Sequence, residues 1–515
     1  MKRILFKQSY SAIPFFVVFL SILLSTHFYG KDSNVEKWGL YEVTLKGPST
    51  GNPFKDVQLT ALFKKGQKEI KISGFYDGEG KYIIRFSPDE EGKWTYQTQS
   101  NVNELNGKTG SIVCIPPSKN NHGPIKIINT YYLEYADGTP YFCVGTTCYA
   151  WIHQPEELQE QTLKTLANAP FNKLRMCIFP KSYVYNQNEP SVFPFIRNAD
   201  GSFDFTRFDP VFWRHLEKRI IDLQKIGIEA DLILFHPYDR WGFAVMSDST
   251  DDFYLRYAIA RFAAYRNVWW SLANEFDFML TPPRAKHAGN KQWEDWDRFF
   301  SILQNEDPYQ RLRGIHNGKQ WYDHTKPWVT HASIQSSNLE KGIEWREKYK
   351  KPVIFDECKY EGNIPEGWGR LSAQEMVRRF WIGTVSGCYV GHGETYTHPE
   401  DIIWWSKGGV LYGKSPARIA FLRKIIEPLP FKDMNPARLD TNVYVLSKPG
   451  VVYLVYAVKA ALISLKLEGN CEYTVEAIDT WNMKVEMVNT VKSGDFTFTA
   501  PQNDYLLKIT ARKIK

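Results

Sequence analysis

The sequence is poor in the signals that mark several large functional classes. Its seven cysteines (Cys114, Cys143, Cys148, Cys177, Cys358, Cys388 and Cys471) are odd in number and match no zinc-binding spacing. Most sit inside apolar, strand-like runs, where a thiol behaves as a small buried hydrophobe. Neither a disulfide framework nor a metal centre is therefore expected, with a Cys143–Cys148 bridge as the one alternative. No glycine-rich turn follows the first strand of the α/β region, which removes the usual phosphate cradle of nucleotide-binding folds, and no cofactor is expected. Low-complexity tracts, internal repeats and basic stripes are missing as well. The formal charge of +7 falls to 7 − 3 = +4 without Lys2, Arg3 and Lys7. So small an excess does not imply a nucleic-acid partner.

Long hydrophobic runs are also scarce, apart from the N-terminus. Met1-Lys2-Arg3 with Lys7 forms a positive start, Ile13 to Leu24 an apolar stretch, and polar residues follow from Ser25, with Gly30 a plausible end. This pattern over residues 1–30 reads as a cleavable secretory signal. An uncleaved anchor is the alternative, but the apolar run is short for a membrane span. No cysteine follows it, so a bacterial lipid anchor is not expected. The expectation is a bacterial protein that is secreted or periplasmic, with no stable membrane anchor after cleavage.

What the sequence has is aromatic residues, at 15% of the chain, with 17 tryptophans and 29 tyrosines, and a length of 515 residues that exceeds one ordinary domain. Sugars stack on such rings, although a large core also uses them. Residues 35–117 alternate short apolar and polar runs between turn signals, as an immunoglobulin-like β-sandwich does. After a Pro-rich linker, residues 125–431 alternate strand and helix patterns. The strand candidates are Tyr141 to Gly145, Lys173 to Phe179, Glu229 to Phe235, Val268 to Ala273, Leu312 to His316, Trp328 to Ile334, Pro352 to Phe355 and Gly387 to Gly391. Residues 432–515 return to strands. The predicted fold class is α/β: a (β/α)8 TIM barrel flanked by an N-terminal and a C-terminal β-sandwich. An open doubly wound sheet is the alternative.

In such a barrel the residues that close the strands converge on one face. They are Tyr149 and Trp151 after the first strand, Arg175 in the second, His236 after the third and Asn274-Glu275 after the fourth. His331 and Gln335 come from the sixth, Glu357 from the seventh, His392 and Glu394 from the eighth, and Trp405 beyond it. Most have an ordinary structural reading: His236 and His331 as hydrogen-bonded core histidines, Arg175 as a buried ion-pair partner, Trp405 as packing. Glu275 and Glu357 differ. Each closes a run that is otherwise apolar, where an unpaired carboxylate costs several kcal/mol. Paired carboxylates are what glycosidic bond cleavage requires: one protonates the leaving oxygen, the other attacks or activates water.

Trp269-Trp-Ser-Leu-Ala-Asn-Glu275 and Pro352-Val-Ile-Phe-Asp-Glu357 resemble the fourth- and seventh-strand signatures of clan A glycoside hydrolases. The resemblance implies Glu275 as acid/base, Glu357 as nucleophile, Asn274 on the sugar hydroxyl next to the reacting carbon, and Arg175 orienting the nucleophile. The order of domains further resembles secreted bacterial proteins with an apiosidase-like barrel, often labelled collagen-binding or endoglucanase. The implied partner is a poly- or oligosaccharide substrate. Two departures stand out. Asp356 directly precedes Glu357, so the nucleophile could be displaced by one residue. The sixth strand also lacks the tyrosine that many clan members place beside the nucleophile, leaving His331 or Gln335 for that position. A non-catalytic carbohydrate-binding barrel is the competing reading, and it predicts a missing glutamate. A metal-dependent hydrolase would need His-x-His on the first strand, where Gly145-Thr-Thr-Cys stands.

Overall fold

The eight strand candidates of the middle region form one parallel sheet. In the computed structural model, which describes residues 33–282 and 287–512, they are β1 (Val144–Thr147), β2 (Lys173–Cys177), β3 (Glu229–Phe235), β4 (Val268–Ala273), β5 (Arg313–Gly314), β6 (Ala332–Gln335), β7 (Val353–Glu357) and β8 (Tyr389–His392). Their order is β5-β4-β3-β2-β1-β8-β7-β6. β3 and β4 are buried along their whole length, and the Leu232–Phe235 end of β3 and nearly all of β4 read as apolar runs.

Among the described residues, seven helices of eight residues or more lie between and after the strands: α1 (Glu156–Leu166), α2 (Pro210–Lys225), α3 (Asp248–Phe262), α4 (Trp293–Glu306), α5 (Gly342–Tyr349), α6 (Ala373–Val385) and α7 (Ser415–Ile426). Their starts follow from capping chemistry. Pro210 opens α2 behind Asp209, whose side chain accepts the Val211 amide at 2.9 Å. Ser372 caps α6 through the Glu375 amide at 3.2 Å. No helix separates β5 from β6, and no ladder joins them. One backbone bond, from the Thr330 amide to the Arg313 carbonyl at 3.0 Å, and several side chains stitch that seam instead. Thr330 Oγ1 accepts the Arg313 amide at 2.7 Å, while Asn317 takes the Gln335 amide at 3.0 Å and donates to the Gln335 carbonyl at 3.2 Å.

Residues 33–115 form a five-stranded and a three-stranded sheet facing each other across a core that includes Phe63, Ile84, Phe86 and Trp94. This layer docks on the barrel through buried charge. Arg85 and Arg261 share Glu217, and Arg261 also donates to Asp77 at 2.8 Å. Residues 435–511 form one six-stranded sheet. Its long strand Leu462–Asp479 breaks register between Leu467 and Glu472, and Ile463 and Leu467 join Val443, Tyr453 and Val455 in one core. The C-terminal sandwich is thus one sheet folded on itself. Arg378 of α6 grips Asp504 of this region with two hydrogen bonds at 2.7 and 2.9 Å. All seven cysteines are unpaired. The leader expected at residues 1–30 lies outside the described residues, and no helix among the latter is long and apolar enough to cross a membrane.

Candidate active site

A cavity of about 320 Å³ opens at the C-terminal ends of the strands, near the low end of the usual size of ligand pockets. Its floor and walls include Tyr149, Asn274, Glu275, Gln335, Glu357 and Trp405, all picked from the sequence. Two strand ends that are not adjacent in the sheet set the carboxylates. β4 ends at Ala273, Asn274 follows it, and Glu275 turns the chain with a left-handed backbone, φ 52° and ψ 53°. A non-glycine residue in that region is uncommon, and such outliers cluster at functional sites. At β7 the pairing with β6 slips: Ile334 pairs with Phe355 and Gln335 with Glu357, so Asp356 is an extra residue. The bulge sends the adjacent carboxylates to different places. Glu357 lines the cavity; Asp356 is buried in the barrel, held by Lys173 Nζ at 2.6 Å and Ser333 Oγ at 2.5 Å.

Each cavity glutamate has its own tyrosine. Tyr238 donates to Glu275 Oε2, and Gln335 Nε2 donates to Oε1 at 3.2 Å. Tyr149 donates to Glu357 Oε1, with Arg175 Nη1 at 3.8 Å behind it. Arg175 itself bridges the site, donating to Tyr149 Oη and to Asn274 Oδ1, both at 3.3 Å. Burial, and then the charge of Glu357, push the Glu275 carboxyl up to about 7, despite the opposing pull of the Tyr238 hydrogen bond. Asp356 goes the other way: burial raises it, but Lys173 and Arg175 overcome this and hold it well below the usual carboxylate range. The site therefore contains a carboxyl that is half-protonated near neutrality, beside one held by a phenol and a guanidinium. That is the division of labour two-carboxylate chemistry needs.

Five of the sequence candidates lie elsewhere. His236 spends both ring nitrogens on backbone, with Nε2 against the Phe179 carbonyl at 3.0 Å and Nδ1 accepting the Tyr238 amide at 3.2 Å. His331 enters the barrel below the cavity, where it packs on Trp269 and fits only because Gly314 lacks a side chain: a Cβ there would lie 2.8 Å from its Nε2. Burial pushes both imidazoles down to about 3. Trp151 donates to the Gln159 carbonyl at 3.1 Å. His392 stacks on Phe171 with ring centroids 4.7 Å apart. Glu394 accepts the Tyr412 and Gly413 amides at 2.6 and 2.9 Å. The position beside Glu357 that the sixth strand leaves empty is filled by Tyr149 from the loop after β1, while Gln335 turns to Glu275 and His331 to neither.

Among the described residues one trio, Glu361, His392 and Glu394, is close enough to hold a metal ion. Its carboxylates, however, also receive the Lys414 and Ser415 amides at the start of α7, at 2.8 and 3.1 Å. The two carboxylates thus accept four backbone N–H groups of the chain entering α7, while His392 stands 4.0 Å from Glu394 outside those contacts.

The family of the barrel can now be assigned. The model of the apiosidase-like catalytic domain matches residues 128–421, more than half of the chain. The chain belongs to the apiosidase-like family. Residues 34–101 match a domain of unknown function, DUF5060, and residues 443–510 another, DUF5605. A structure from Bacteroides vulgatus, provisionally named a glycoside hydrolase, is similar with 38% identity and a TM-score of 0.85, covering 93% of this chain and all of the other. A family 5 glycoside hydrolase from the same species shares the fold, at 16% identity and a TM-score of 0.60, over 76% of this chain and 94% of its own. Curated protein sequences give no match.

In this apiosidase-like barrel the sequence reading missed several cavity residues: Tyr238, Lys181, Tyr183, Tyr360, Trp368 and Lys359. The aromatic ones form a wall, with Trp405 centred 5.8 Å from Tyr149, 5.9 Å from Tyr183 and 5.0 Å from Trp368. Tyr185 ties the wall across the mouth by donating to Glu366 Oε2 at 2.6 Å. All come from loops after β1, β2, β3, β7 and β8. The only signal they left in the sequence is the excess of aromatics there.

Proposed function

We propose that the protein is a retaining glycoside hydrolase acting on a poly- or oligosaccharide. The observation that carries the proposal is the pair Glu275 and Glu357 lining one cavity, with Glu275 held up at about 7. Membership of the apiosidase-like family and likeness to a glycoside hydrolase structure support it. Glu275, protonated, gives its proton to the leaving glycosidic oxygen. Glu357, steadied by Tyr149 and Arg175, attacks the anomeric carbon and forms a glycosyl ester. Glu275, now ionised, takes a proton from water, which attacks the same carbon and releases the sugar with its configuration kept. Asn274 donates to the hydroxyl next to the reacting carbon, and the aromatic wall packs on the ring faces. The leader-like residues 1–30 lead us to place this work outside the cytoplasm, which N-terminal sequencing of the mature protein checks.

A 2-fluoro glycoside with a good leaving group tests the mechanism, because it stalls the reaction at the ester. Peptide mass mapping is expected to find the label on Glu357. A label on Asp356, or inverted configuration in the released sugar, defeats the assignment.

A further inference from the structure

We propose that the substrate carries an anionic substituent, a carboxylate or a sulfate ester, and that Lys181 is the residue that reads it. This rests on the proposed function and narrows its substrate class. Three lysines are almost fully buried among the described residues: Lys173 at 0%, Lys291 at 1% and Lys181 at 4% exposure. Lys173 is held between Asp231 and Asp356 at 2.7 and 2.6 Å, and Lys291 by Asp251 at 2.5 Å and a carbonyl at 2.9 Å. Lys181 has no such partner: none of the described carboxylates, carbonyls or hydroxyls is within bonding reach of its ammonium.

Instead Lys181 Nζ sits over four rings of the cavity, 3.9 Å from the centroid of Tyr149, 4.2 Å from Tyr238, 5.0 Å from Trp405 and 6.0 Å from Tyr183. Two of these, Tyr149 and Tyr238, are the phenols that hold Glu357 and Glu275. The cation is therefore fixed between the two carboxylates' own supports, at the reacting centre rather than at the mouth. Ring faces attract a cation but take none of its three N–H bonds as an oxygen would. A buried charge left in this condition is costly and is kept where a ligand completes it.

The chemistry of the reaction points the same way. Positive charge builds on the sugar ring in the transition state. With Glu275 protonated, the charged side chains lining the cavity are Lys181, Lys359 and Glu357, a balance of 2 − 1 = +1. A neutral sugar would develop its positive charge against that excess. An anionic group on the sugar next to Lys181 cancels it, and a charge-assisted hydrogen bond at a dry site is a strong one.

Matched oligosaccharides provide the test: galacturonan, alginate and glucuronoxylan fragments against their carboxyl-reduced forms, and sulfated galactan fragments against their desulfated forms. Binding is measured by calorimetry and cleavage by product analysis. The expected result is a preference of about 10-fold or more for the acidic member of at least one pair, lost in Lys181→Met and retained in Lys181→Arg. Which pair responds separates carboxylate from sulfate. Equal binding and cleavage of the charged and neutral members overturns the inference, as does a preference that survives in Lys181→Met. Acidic binding without cleavage of any oligosaccharide sinks the hydrolase reading and leaves Lys181 standing. Cleavage of neutral fragments alone does the reverse.

Discussion

Lys173 and Lys181 lie on the same stretch of chain, both buried, and have opposite surroundings. Lys173, in the barrel interior, is clamped between Asp231 and Asp356. Lys181, one layer higher in the cavity, meets only rings. The carboxylates divide in the same way: Asp356 is saturated by a lysine and a serine, while its neighbour Glu357 keeps an oxygen available to the cavity. Burial alone therefore does not separate framework from function in this molecule. Saturation does. Charges whose polar atoms are all engaged by protein hold the barrel together, and charges less fully engaged line the cavity.

The most severe way to probe this contrast is to remove a cavity carboxylate. Glu357→Ala is expected to lower kcat by on the order of 10⁴–10⁶-fold while leaving the thermal midpoint within a few degrees, as read by calorimetry alongside the assay. The reverse pattern belongs to the interior. Lys173→Met leaves two buried carboxylates without their cation, a loss of about 3–5 kcal/mol, seen as a fall of roughly 5–15 °C in the midpoint. Lys181→Met, which strips no protein partner, should leave that midpoint unchanged or raise it. If the two lysine variants lose stability equally, saturation is not the distinction.

A smaller effect sharpens the comparison through pH. The acid form of Glu275 predominates below its raised value, so kcat/KM is expected to fall as pH rises through about 7. Tyr238 stabilises the ionised form, so Tyr238→Phe should move that alkaline limb to higher pH, by on the order of one unit. An unmoved limb would assign the titration to another group. The smallest change is expected at Trp151, whose polar atom is already committed to the Gln159 carbonyl. Trp151→Phe should change kcat/KM by no more than about 3-fold, within the range of a lost structural hydrogen bond.

The architecture was legible wherever burial is two-sided. β3 and β4 announce themselves because every residue is covered, and the run then stops at a polar pair. β5, expected from Leu312 to His316, pairs only over Arg313 and Gly314, because two residues suffice where neighbouring contacts close the seam. Within the site, Glu275 and Glu357 stood out as carboxylates ending apolar runs. The choice between Asp356 and Glu357 could not be read, since alternation along a strand does not reveal a bulge. His236 was chosen over Tyr238 for a related reason: past the end of β3 the pleat no longer governs direction, and the ring folds back onto the Phe179 carbonyl. Lys181 escaped notice because a sequence shows a charge but never whether it is paired.

The seam between β5 and β6 has a mechanical consequence. Elsewhere around the barrel the strands are joined by backbone ladders, but here the hoop is fastened by one backbone bond, Thr330 to Arg313, and by side chains, with Asn317 holding the Gln335 backbone. The Gln335 side chain also donates to Glu275. The clasp of the hoop and a grip on Glu275 are thus the same residue, so any opening of the barrel at this seam is felt at Glu275, the acid of the proposed mechanism. Amide exchange should begin at this clasp, and a ligand that reaches Gln335 should slow it.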